Sequence, residues 1–266
     1  MVSAGSGSPR LLCHGFIGSA ENFESWVPRL ARQRRLVLPD LPGFGESARL
    51  PGPHTSRDLA AELLALVDRL ELSRFELGGL CLGAAVAMEL LSMAPHRVER
   101  LVLHTPLLEP AGVPRAVRAQ VAIATTPGIF ELISRLGQHR ALADLYRRVM
   151  VEGDAAVDRR SADVNFANQI RACPRAAREW LRDGTRTDFT RLLDGWRGPV
   201  AVLAAADDRL LVLPRLRAYC IRRPRTRLSV LASAGHGWDR ELIRRQLDVV
   251  EGFLEEPPDQ ATAAAG

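Results

Sequence analysis

The residues best placed to do chemistry are a cysteine set between glycines, a late histidine, and an aspartate pair between the two. Gly78-Gly79-Leu80-Cys81-Leu82-Gly83-Ala84-Ala85 follows a strand-like run and opens a helix-like one. Glycines two before and two after a central residue mark a strained strand-to-helix elbow that presents a nucleophile. Lacking Cβ, they let the turn pack without clashing. Cysteine stands where serine is usual. Its reactive form is the thiolate, and a helix N-terminus favours an anion. Free cysteines are more often small buried hydrophobes; here both flanking glycines and the strand–turn–helix context point to a nucleophile instead.

A base should follow late in the chain. Of the six histidines, only His236, in Gly235-His236-Gly237, sits on a loop after the last strand-like run. The acid should follow the run Val200–Ala204, where Asp207 and Asp208 compete. An aspartate accepting a hydrogen bond from His236 would fix its tautomer and stabilise the imidazolium. The order cysteine, aspartate, histidine is that of nucleophile, acid and base after an elbow. His14-Gly15-Phe16 ends the first strand-like run. In such an architecture the backbone N–H groups of Phe16 and Leu82 would form an oxyanion hole.

These residues need a scaffold of alternating elements. Strands are expected at Arg10–His14, Leu36–Pro39, Phe75–Gly78, Arg100–His104, Val200–Ala204 and Leu228–Leu231. Helical patterns lie between them at Asn22–Gln33, Ser56–Leu70 with Ser56 as N-cap, Leu82–Ala94 and Asp239–Leu254. Strands alternating with helices predict an α/β fold, a mostly parallel sheet with helices on both faces. From Glu109 to Trp196 no strand is apparent. Short helical patterns punctuated by Pro114, Pro127-Gly128, Gly153, Pro174 and Gly184 fill the gap. A structureless loop of that length is implausible, so residues 109–197 should be a helical cap inserted into a core of residues 10–108 and 198–256. The Pro/Ala-rich residues 257–266 should fray.

Bulk properties bound the function. A chain of 266 residues can form one large core. No apolar run is long enough to span a bilayer, and Met1–Pro9 lacks the apolar stretch of a secretory signal, so the expected compartment is the cytoplasm, with no membrane partner. All 36 basic residues are arginine. With no lysine there can be no Schiff base and no P-loop lysine. The arginines come as scattered doublets such as Arg34-Arg35 and Arg244-Arg245, without the clustering and aromatics of a nucleic-acid surface. The net charge of +5 suits a solvated basic surface or attraction of an acidic partner. Cys13, Cys81, Cys173 and Cys220 form no CxxC pair and no zinc spacing, and are expected to be reduced. Catalysis without metal or cofactor is the expectation.

Leu12-Cys13-His14-Gly15-Phe16-Ile17-Gly18-Ser19, Leu38-Pro39-Asp40-Leu41-Pro42-Gly43-Phe44-Gly45-Glu46-Ser47 and the elbow together resemble the α/β-hydrolase superfamily. The resemblance covers roughly residues 10–108 and 198–254. It implies the acid at Asp208, by aligning Ala205-Ala206-Asp207-Asp208 with the family's acid motif. It also implies a β-hairpin before the His-Gly strand. Only nine residues precede Arg10, so that hairpin is expected to be lost or to lie upstream. The cysteine resembles dienelactone hydrolases, polyhydroxyalkanoate synthases and aminoacyl-shuttling transferases. An acyl-cysteine is itself a thioester, so exchange with another thiol is near balance. This favours acyl transfer between thiols, with an acyl substrate borne on an acidic carrier protein, over ester, thioester or lactone hydrolysis. A non-covalent lyase and a binding module that has lost catalysis are the other readings the resemblance leaves open.

Overall fold

The computed structural model describes residues 1–147, 159–232, 235–236 and 240–256. The expected fraying of residues 257–266, and the punctuating Gly153, lie outside the described residues. Seven strands form one sheet: β1 (Val2–Ala4), β2 (Ser8–Cys13), β3 (Arg34–Leu38), β4 (Phe75–Leu80), β5 (Val98–His104), β6 (Val200–Ala205) and β7 (Thr226–Leu231). Their order is β1-β3-β2-β4-β5-β6-β7. All neighbours are parallel except β1, which runs antiparallel to β3 with Val2 opposite Leu38.

Ahead of β2 stands no β-hairpin but the short strand β1, an element not singled out in the sequence, which pairs with β3 and not with β2. Gly5 makes the return possible. It has φ +79, and a Cβ there would sit 2.3 Å from the Arg34 carbonyl oxygen.

Side chains alternate along the strands, and both faces are covered. Leu11, Leu77 and Leu103 point to α2 (Ser56–Arg69) and α3 (Leu82–Met93). Leu12, Leu36 and Leu38 point to α1 (Val27–Leu30) and α11 (Arg240–Glu255), and Val102 and Leu203 also meet α11. The continuous helix expected at Asn22–Gln33 is instead a 3₁₀ turn, Ala20–Phe23, followed by the short α1. Pro28 allows a helix to start there but not to run through. The N-cap of α2 is Thr55, one residue earlier than expected. Its hydroxyl accepts from the Asp58 amide while the Asp58 carboxylate accepts from the Thr55 amide, a capping box.

Between β5 and β6 the chain forms α4 (Arg115–Ala124), α5 (Ile129–Leu136), α6 (Arg140–Arg147), α7 (Arg159–Arg171), α8 (Pro174–Gly184) and α9 (Thr190–Asp194). A further helix, α10 (Leu213–Arg222), which the sequence reading did not single out, lies between β6 and β7. Among the described residues no helix is long and apolar enough to cross a membrane.

The chain leaves β2 toward β3 on one side and later returns to β4 on the other. The crevice at such a switch point lies beyond the carboxyl ends of the strands. Here it receives the turn after β2 and the elbow after β4.

Candidate active site

Cys81 is the N-cap of α3, with φ 51 and ψ −115. A non-glycine residue at positive φ is strained, and such strain is held only where the surroundings dictate it. Two glycines and a hydrogen bond dictate it here. A Cβ at Gly79 would lie 2.4 Å from the Gly83 carbonyl oxygen, and one at Gly83 would lie 2.2 Å from that of His14. The Cys81 amide donates to the His104 carbonyl at 2.8 Å, tying the elbow to β5. The packing that forbids a side chain at both flanking positions therefore presses the elbow onto the end of β2.

The other predicted residues converge on this point. Asp208 follows β6 and is buried, whereas Asp207 is exposed. One Asp208 carboxylate oxygen accepts from the Leu210 amide at 2.8 Å, and the other lies 2.8 Å from His236 Nδ1. His236 is buried on the loop after β7 and also hydrogen-bonds Cys81. With Nδ1 donating to Asp208, Nε2 is the atom left for the sulfur. Burial alone would drive the proton off His236. The charges of Cys81 and Asp208, with hydrogen bonds to both, outweigh it and raise the imidazole well above its usual 6.5. Burial pushes the Cys13 and Cys220 thiols up to about 12, which leaves them unreactive.

Gly15 closes against the elbow, since a Cβ there would stand 3.5 Å from Cys81 Cβ. Among the described residues neither the Phe16 nor the Leu82 amide donates to a protein acceptor. Both residues line the cleft with Cys81 and His236. Two unspent N–H groups beside a thiol are what a developing oxyanion needs.

The cleft has a volume of about 1180 Å³, and its walls include residues of α4, α6, α7 and α8. The sequence pattern of the α/β hydrolase fold family matches residues 11–237. The chain belongs to this family. A 2-hydroxymuconate semialdehyde hydrolase from Pseudomonas sp. (strain CF600) is 26% identical over 95% of this chain and 89% of its own length. The acetyltransferase component of the acetoin cleaving system of Pseudomonas putida, which acts on a dihydrolipoyllysine residue, is 37% identical over 43% of this chain, but that match spans only 30% of the relative. Among solved structures, a thermophilic esterase from Thermogutta terrifontis superposes with a TM-score of 0.74 at 25% identity, covering 95% of this chain and 91% of the esterase.

Within this α/β-hydrolase frame several residues have positions and partners that the sequence did not assign. His14 is fully buried, and burial lowers it to about 4, so it is neutral. Its Nε2 accepts from the Leu41 amide at 3.0 Å, which leaves Nδ1–H to donate to the Gly15 carbonyl at 2.8 Å. His14 thus pins the oxyanion turn to the loop after β3. Asp40 organises that loop by accepting from the amides of Ala20 (2.7 Å) and Glu46 (3.2 Å). The Asp40–Ser47 motif is therefore architectural. Trp180 of α8, fully buried, packs edge-on against Phe44 at 5.2 Å and His14 at 6.2 Å between ring centres. It also contacts Phe16 at 6.3 Å, so a residue of the insert braces the oxyanion turn from above.

Proposed function

We propose that the protein is an acyl-transfer enzyme of the α/β-hydrolase family in which Cys81 forms a thioester acyl-enzyme. The observation that carries this reading is the strained Cys81 at the elbow, joined through His236 to Asp208 at 2.8 Å. In this reading residues 109–197 are a cap over a core of residues 10–108 and 198–256, acting in the cytoplasm, where thiols stay reduced.

The reaction runs in two halves. The Cys81 thiolate attacks the carbonyl carbon of a thioester, ester or lactone, and the new C–S bond places negative charge on the carbonyl oxygen, facing the Phe16 and Leu82 amides. As the tetrahedral adduct collapses, the bond to the leaving group breaks and the His236 imidazolium gives it a proton from Nε2. An acceptor then enters, passes its proton to His236 and attacks the acyl-cysteine, and the Cys81 thiolate leaves. Asp208 holds the imidazole in one tautomer throughout and stabilises its charged form.

A thiol acceptor is favoured because the acyl-enzyme is a thioester of similar energy to the donor. The arginine-rich surface would suit an acidic carrier protein bearing that thiol. Hydrolysis is the second reading. It is supported by the near full-length likeness to a semialdehyde hydrolase and by the likeness to an esterase. Intact mass spectrometry after mixing with acyl-pantetheine thioesters, with and without acceptor thiol, tests both. The expected result is an adduct on wild type that is absent in Cys81→Ala and is discharged faster by thiol than by water. Release of free acid at one rate regardless of thiol would establish the hydrolase. An adduct surviving in Cys81→Ala would end the covalent reading at this residue.

A further inference from the structure

Helix α4 buries no side chain. That is unusual for an amphipathic helix, whose apolar stripe normally lies on a core. Its stripe of Ala116, Val117, Val121 and Ala124 faces the cleft, with Gln120 beside it. Leu82, Leu181 and Cys81 line the same cleft. From Val117 to Ala124 the stripe runs about 10 Å. The cleft of about 1180 Å³ exceeds the few hundred to about 1,000 Å³ of usual small-molecule pockets. An acetyl group on Cys81 would leave this wall wet.

The charges in the cleft narrow the acyl group further. The carboxylates among its described lining residues are Glu21, Glu24 and Asp144. Glu21 pairs with Arg171, Glu24 with Arg160 and Asp144 with Arg140. Among the described residues, then, the carboxylates lining the cleft are already paired with arginines, and the ammonium of an aminoacyl group would find no unpaired counter-ion there.

We infer that the acyl group carried on Cys81 is a medium-length aliphatic chain without an ammonium, whose tail completes the apolar face of α4. This rests on the acyl-enzyme reading and names its substrate class. Val117 and Val121 are then specificity-determining residues.

The test is the rate of Cys81 acylation by acyl-pantetheine thioesters from acetyl to decanoyl, with alanyl beside butyryl, read by intact mass. The rate should climb with chain length, by up to about fourfold per buried methylene, and butyryl should outrun alanyl. Val117→Trp should flatten that dependence, and circular dichroism with a urea midpoint near that of wild type should show that the variant, at a position only partly buried, folds. Ile123→Ser, on a residue 64% exposed and outside the cleft lining, should leave it unchanged. Acetyl or alanyl reacting as fast as decanoyl, or a slope indifferent to Val117→Trp, overturns the inference. If no thioester acylates Cys81, the covalent reading fails and calorimetry decides the subsite alone. Decanoate binding more tightly than butyrate, and losing that advantage in Val117→Trp, upholds it; equal binding sinks it.

Discussion

Helices α8 and α4 belong to the same insert and face the same cleft, yet they are held in opposite ways. Helix α8 buries Ala176, Ala177, Trp180 and Gly184. Its Glu179 accepts from the His54 amide at 3.0 Å and its Asp183 from the Ser56 amide at 2.8 Å, so its carboxylates satisfy backbone donors at the start of α2. Even the approach is close: a Cβ on Gly43 would lie 2.6 Å from Ala176 Cβ. Helix α4 has no fully buried residue, only partly buried ones such as Val117, and α5 buries only Phe130. The difference separates two tasks. The part of the insert that braces the oxyanion turn is fixed by dense packing and paired polar groups. The part that lines the cleft has an apolar surface left for a ligand to finish.

The largest effect should come from the fixed side, at the triad. Asp208→Asn should lower turnover by on the order of 10⁴, by analogy with the tautomer error such a change causes in a serine protease. Asp207→Asn, on an exposed side chain, should do little. Rates of acyl-enzyme formation for the two variants check this, and equal or reversed losses would move the acid to Asp207.

Next in size is the brace. Trp180→Ala removes a fully buried indole from between α8 and the oxyanion turn, and should cost about 3–5 kcal/mol of stability. Val121→Ala, on the half-buried face of α4, should cost under about 1 kcal/mol. Urea midpoints compare them directly. Similar costs would mean the two helices are held alike.

The proton on His236 gives a third test. Its site favours the charged form, so as pH rises the proton should stay bound past 6.5 and leave only well above it. The same sign holds for stability: that contribution is present below 6.5 and is lost as pH passes the raised value. Asp208→Asn removes one of the charges responsible, so the titration should move down. Histidine NMR follows it, and a wild-type midpoint at or below 6.5 would contradict the electrostatics of the site.

How far the sequence revealed this division depends on whether a cause is local. The elbow was legible because its steric demand falls on Gly79 and Gly83, two residues from Cys81. The choice of Asp208 over Asp207 came from the resemblance of Ala205-Ala206-Asp207-Asp208 to the family's acid motif; its physical basis, burial, depends on β7 and the His236 loop. The helix expected at Asn22–Gln33 failed because Phe23, Trp26, Val27 and Leu30 mimic helical spacing while packing on β3 from a broken path. Strand β1 is three residues with no apolar run, and only its pairing to β3 defines it. Trp180 carried no signal at all: its partners His14, Phe16 and Phe44 lie more than a hundred residues away, and nothing near it in the chain announces the contact.

The smallest effect should come from the outer face of α5. Ile129, Leu132, Ile133 and Leu136 recur at the spacing of one helical face, and all are 40–57% exposed. In α8 the corresponding logic buries the stripe; in α5 the stripe meets solvent. Removing a leucine that is already 57% exposed forfeits little burial. Leu132→Ser should therefore change stability by no more than about 0.5 kcal/mol, most of it the weaker helix propensity of serine. Urea unfolding at several protein concentrations measures this. A loss of 2–3 kcal/mol, the order expected for a core leucine, would mean that something covers α5 in solution. If that loss grew with protein concentration, the cover would be a second copy of the chain; if it did not, the cover would come from the chain itself. Either result would erase the contrast between the two helices. A near-zero cost would show that α5 is held by Phe130 on its inner side and not by this outer face.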